Sequence, residues 1–124
     1  MNIETLPLLK RILPKVSAKE TISLQALSFS EIIFLESSIN YTYVYYVDGK
    51  RQILAKTLGA FELPLADYGF VRINKSMIVN LIFIRQFFEQ QRSSVILSNG
   101  HQYLCSRRKT MKVKQAIQNQ SNFQ

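Results

Sequence analysis

The sequence is poor in the residues that most often carry chemistry. Cys105 is its one cysteine, so no internal disulfide can form, which suits a reducing compartment. His101 is its one histidine, lying just after a turn with no acid nearby, and it reads as a solvated turn residue. No metal-ligand cluster, glycine-rich phosphate loop or nucleophile with an assignable base is present. The pattern therefore names no enzyme, no cofactor and no metal. No apolar run approaches the roughly 20 residues of a membrane span, and charges interrupt every candidate. The N-terminus lacks the apolar core and cleavage site of a signal peptide. A cytoplasmic protein with no membrane partner is expected.

Acid is the other scarcity. Among 124 residues there are 16 basic and 8 acidic side chains, a net charge of +8. Residues 1–62 hold seven basic and six acidic groups, whereas residues 63–124 hold nine basic groups against Asp67 and Glu89 alone. After Glu89 there is no acid. Such a one-sided excess is the footprint of a face that binds polyanions.

What is present is a core and many short strands. Hydrophobic residues make up 47% of the chain, enough for one folded domain. Residues 1–15 read as an extension, since Pro7 and Pro14 keep any helix through Leu6, Leu9 and Leu13 to about two turns. It has three open roles: covering the domain, touching a second chain, or staying loose. Thr21 to Ala26 alternates as a half-buried strand does, and Ile32 to Leu35 is apolar on both faces. Glu36 to Asn40 reads as a loop. Tyr41 to Val47 is rich in strand formers, with Tyr41, Tyr43 and Tyr45 on one side and Tyr46 on the other. Asp48-Gly49 predicts a two-residue hairpin turn with positive φ at both positions, and Asn99-Gly100 predicts another. Thr57 to Leu65 suits a short helix weakened by Gly59 and Pro64, and Asp67-Tyr68-Gly69 a turn. Leu81 to Phe88 reads as one strand with Arg85 outward. Ser106 is placed to cap a final helix through Ile117, followed by a polar tail at 118–124. Without strand–helix alternation, the sum is a mostly antiparallel β domain over residues 16–117.

Two stretches stand out for function. In Phe70-Val71-Arg72-Ile73-Asn74-Lys75-Ser76-Met77-Ile78-Val79-Asn80, a polar tip of Asn74, Lys75 and Ser76 interrupts two apolar strands. Lysine and asparagine both donate to base-edge acceptors and phosphate oxygens. Asn80 reads as a structural cap of the turn backbone. The segment Arg107 to Lys114 carries five cations and no acid. At 100° per residue, Arg108 and Lys112 share one side while Val113, Ala116 and Ile117 share another and can pack. Cations at a helix start oppose the macrodipole, so a partner is the better reason for them. Tyr41, beside Asn40, is the tyrosine placed to reach a base or phosphate. Cys105 ends a strand as a small buried hydrophobe.

These pieces resemble the LytTR DNA-binding domain of bacterial transcription regulators. The likeness lies in Ile32-Ile33-Phe34-Leu35-Glu36-Ser37, Asn40-Tyr41, Asp48-Gly49, the run from Phe70 to Asn80, and Val95 to Gly100 followed by Ser106-Arg107-Arg108. It extends from about Val16 to Ile117. The resemblance implies an elongated antiparallel β-sheet fold of about ten strands with a short C-terminal helix. It also implies that loops enter successive major grooves of double-stranded DNA, usually on direct repeats, and that a homodimer can form on the DNA. By the same resemblance, contacts fall on Asn40 and Tyr41, on Asn74, Lys75 and Ser76, and on Arg108 with Arg107, Lys109 and Lys112. Lys75 and Arg108 are then expected at bases, joined by Tyr41 and Asn74. Arg107, Lys109, Lys112 and Arg72 are expected at phosphates.

The chain departs from the family pattern at two positions. Histidine is common where it has Asn74, and arginine where it has Lys75, so its preferred site should differ. Many members carry an N-terminal receiver domain, for which about fifteen residues leave no room. The competing class is a β module that docks an acidic partner through its basic face. A third, single-stranded RNA binding, needs exposed aromatics between cations, whereas the strand tyrosines read as packing.

Overall fold

A computed structural model describes residues 28–121. The chain divides between Phe61 and Glu62 into two compact units. Eight strands lie among the described residues, and the ladders within each unit are antiparallel. The predicted strand at Thr21–Ala26 and the extension at 1–15 lie outside the described residues.

In the first unit a single 3-10 turn, Phe29–Glu31, leads into β1 (Ile32–Ser38), β2 (Tyr41–Tyr46) and β3 (Arg51–Leu54). β2 pairs with both neighbours, with Leu35 opposite Val44 and Tyr43 opposite Ile53. Ile32 to Leu35 are buried in succession, as their unbroken apolar run requires. Thr42, fully buried, meets its polar need by donating to the Lys56 carbonyl at 2.7 Å. Tyr45 stacks on Phe34 with centroids 4.5 Å apart, and its hydroxyl donates to Glu36 at 3.1 Å. The Arg51 guanidinium lies 4.4 Å above the Tyr43 ring. These tyrosines pack against neighbours on their own sheet.

Two expectations for this unit need correction. Glu36 to Ser38 are strand residues, not loop, because Tyr43, Thr42 and Tyr41 pair across from them. The loop shrinks to Ile39-Asn40. The turn at Asp48-Gly49 is not the two-residue type either. Gly49 N donates to Tyr46 O, Tyr46 N donates to Lys50 O, and only Gly49 has positive φ, at 88°. This is a three-residue loop whose glycine takes the left-handed position. Asp48 instead accepts the Lys50 amide at 2.9 Å.

Helix α1 (Gly59–Ala66) forms despite Pro64, because Phe61 and Leu65 bury one face, with Leu58 buried just before it. It ends in the predicted turn, with Tyr68 N bonded to Leu65 O and Gly69 at φ 86°.

The second unit contains the antiparallel pair β4 (Phe70–Asn74) and β5 (Met77–Asn80). It also holds a three-stranded sheet in the order β6 (Ile84–Phe88), β7 (Ser94–Leu97), β8 (Gln102–Leu104). Helix α2 (Arg107–Ser121) packs against β4 with Val113 fully buried. The expected strand from Leu81 is shorter than read. Leu81–Phe83 is a 3-10 turn, and Asn80, itself buried, accepts the Ile82 amide at 3.3 Å to cap it. That is the structural role read for Asn80. The Asn99-Gly100 hairpin repeats the correction above: Gly100 N donates to Leu97 O, Leu97 N donates to His101 O, and only Gly100 has positive φ. Asn99 accepts the His101 amide at 2.9 Å, as Asp48 does in the first unit. Helix α2 runs to Ser121, so Gln118 to Ser121 are helical rather than tail. Among the described residues no helix is long and apolar enough to cross a membrane.

Candidate nucleic-acid interface

The second unit presents a cationic tip and a cationic helix start, and its hydrogen bonds show how each is held. β4 and β5 turn at Lys75-Ser76, with Asn74 opposite Met77 and an irregularity between Arg72 and Asn74. Neither turn residue has positive φ, which explains why the turn needs no glycine. Asn74 supplies the missing constraint. Its Oδ1 accepts the Ser76 amide at 2.7 Å, and its Nδ2 donates to the Leu104 carbonyl at 2.7 Å. Both ends of that side chain are therefore engaged by the chain's own backbone.

Arg72 forms the spine of the tip. Its Nε donates to Asn74 O at 3.2 Å, one terminal nitrogen donates to Lys75 O at 2.7 Å, and the other donates to Glu62 Oε1 at 3.2 Å. The rigid five-donor fork of a guanidinium suits this work. Its side chain is only 19% exposed, so most of its charge is spent inward.

The helix start is tied to the same place. Ser106 N donates to Ile73 O at 2.8 Å, so the residue before α2 bonds the residue before Asn74. Ser106 holds the first turn through its own carbonyl, which accepts Lys109 N at 3.0 Å and Thr110 Oγ1 at 3.0 Å. Because the Thr110 proton is directed there, Ser93 must donate across the 2.6 Å Ser93–Thr110 contact.

One carboxylate collects what is left. Glu62 Oε2 lies 3.3 Å from Lys109 Nζ and 3.9 Å from Lys112 Nζ, while Oε1 holds Arg72. Partial burial opposes its ionisation, but the hydrogen bonds from Arg72 and Lys109 outweigh that and hold the carboxyl below its usual range. Sequence reading missed Glu62 because its partners lie far along the chain. The lone signal was its position as the last acid before the basic half begins.

The predicted contact residues thus separate into kinds. Lys75, Arg107 and Arg108 are exposed, and among the described residues their side chains have no ion-pair or hydrogen-bond partner. Ser76 is exposed beside Lys75. Lys112 is 62% exposed at the side chain, Lys109 27%. Arg72 and Asn74 are committed to holding the tip. Asn40 lies in the β1–β2 turn of the first unit and Tyr41 opens β2; both are exposed. Cys105, 1% exposed, has its thiol pKa pushed up by burial. Among the described residues no three His, Cys, Asp or Glu side chains group as a metal site would need.

Chemically, the arrangement can place fixed donors against an anionic, grooved ligand, with one cation on a tight turn and two at a helix start. Comparison with known proteins points the same way. The family model for the LytTr DNA-binding domain matches residues 23–118. Among solved structures, a LytTr DNA-binding domain from Bacillus cereus superposes with a TM-score of 0.65 at 22% identity, covering 73% of this chain and 84% of that one. No curated protein matches the sequence.

Proposed function

Because the chain belongs to the LytTR family of DNA-binding domains, we propose that it recognises specific double-stranded sequences and regulates bacterial transcription. The observation that carries this reading is the mutual anchoring of two exposed cationic segments. The Lys75 turn and the Arg107-Arg108 helix start are joined at their bases by the Ile73–Ser106 and Asn74–Leu104 hydrogen bonds. In this reading the Lys75-Ser76 turn enters a major groove, and Lys75 and Arg108 donate to base edges. Arg107 and Lys112 take phosphates, and Asn40 and Tyr41 are further DNA contacts. Arg72 and Asn74 act by fixing the turn from within, not by touching DNA. The DNA is a direct repeat, bound by two copies of the chain.

Selection of bound sequences from a random duplex pool tests this most directly. It should return a recurring motif repeated in the same orientation. Neutralising four to six phosphates predicts a slope of log K against log salt of about −4 to −5. Retention of every sequence alike at moderate salt would favour docking of an acidic protein instead.

A further inference from the structure

The ion pairs around Glu62 carry an inference that rests on the DNA-binding reading and deepens it. A carboxylate in the middle of a cationic surface works against affinity for a polyanion, since it repels phosphates and occupies cations that could meet them. Charge alone gives no reason to keep it there. The geometry does. Glu62 Oε1 fixes the guanidinium whose other nitrogens hold the Asn74 and Lys75 carbonyls, while Oε2 draws in Lys109 at 3.3 Å. One side chain thus sets the shape of the turn and restrains a helix cation.

We propose that Glu62 is a positioning residue of the DNA interface, a built-in counter-anion that stands in for a phosphate. It withholds Lys109 from the DNA backbone and keeps Arg72 aimed at the turn. The consequence is lower affinity for arbitrary duplex and sharper discrimination between sequences. Lys109 is the cation withheld, because its side chain is the more enclosed of the two lysines and the nearer to Oε2. Lys112 is longer-bonded and more exposed, and stays available to phosphate throughout.

The test compares full-length wild type with Glu62→Gln, which keeps the shape of the side chain and an acceptor for Arg72 while removing the charge. Binding to a selected duplex and to a scrambled duplex is measured across a salt series. Glu62→Gln should bind the scrambled duplex more tightly at low salt. Its slope should steepen by about 0.9, one more phosphate, which makes its loss of affinity from 50 to 200 mM salt about 3.5-fold larger. Its preference for the selected duplex should fall. Two further variants isolate the cause. Glu62→Gln/Lys109→Gln should return to the wild-type slope. Glu89→Gln, which removes the same charge from a pair with Lys114, should leave the preference between duplexes unchanged. An unaltered slope and preference in folded Glu62→Gln would overturn the proposal, as would an equal effect from Glu89→Gln. If wild type itself bound no duplex, the DNA-binding reading would fall first, and that result is separable from these.

Discussion

The β1–β2 turn of the first unit and the β4–β5 turn of the second both join adjacent antiparallel strands through two exposed residues, yet they are held in opposite ways. At Ile39-Asn40 the backbone itself is bent to the task. Ile39 sits at φ 53°, a region a β-branched residue rarely enters, and is 90% exposed. Among the described residues no side-chain hydrogen bond braces it. At Lys75-Ser76 the backbone is unstrained, and Arg72 and Asn74 brace it with four hydrogen bonds to turn or neighbouring backbone. The lesson is that one tip is rigid by its own supports, whereas the other is unsupported by side chains and carries local strain.

Removing the largest support should make the second turn resemble the first. Arg72→Ala deletes three donors and leaves Glu62 without its main partner, so a loss of about 2–3 kcal/mol is expected from denaturant midpoints. Asn74→Ala comes next, at about 1–2 kcal/mol, because the Leu104 carbonyl and Ser76 amide both lose their partner. Amide exchange at Ser76 should quicken in that variant, and equal protection in both proteins would deny Asn74 its bracing role. In the first turn the sign reverses. Ile39→Asn should stabilise by about 1 kcal/mol, since asparagine tolerates the left-handed region and almost no packing is lost at so exposed a site. A destabilised Ile39→Asn would mean the isoleucine is not strained.

The smallest effect is a pH dependence. Glu62 has a depressed pKa in the folded state, so its contribution is present above the ordinary carboxylate pKa. It is lost as pH falls through the lower folded value. The stability gap between wild type and Glu62→Gln should be a fraction of a kcal/mol at pH 7, given the partial exposure of the group, and should close in acid. A gap unchanged from neutral pH to acid would show that the carboxylate charge adds nothing.

The same contrast explains how much could be read beforehand. Apolar runs located the strands, because burial on both faces leaves an unbroken signal at Ile32 to Leu35 and Met77 to Val79. Glycines located both three-residue hairpins but not their type, which depends on whether Asp48 and Asn99 spend their side chains on the following backbone. Glu36 to Ser38 were misread because polarity marks a loop only where no partner strand supplies the pairing. The cationic tip and helix start were visible as composition. That Arg72 and Asn74 spend their side chains on turn or neighbouring backbone was not, for both act on carbonyls and amides that sequence does not display. Glu62 was hidden by separation along the chain: Lys109 is 47 positions away.

The buried Cys105 has a practical consequence. Its amide is bonded to Ser93 O, the residue is 1% exposed, and it stands just before Ser106 and the start of α2. A water-borne thiol reagent can reach it only when the structure around it opens. The rate of labelling therefore clocks the opening of the helix root, with no probe added to the protein. Bound duplex that clasps the root should slow the clock.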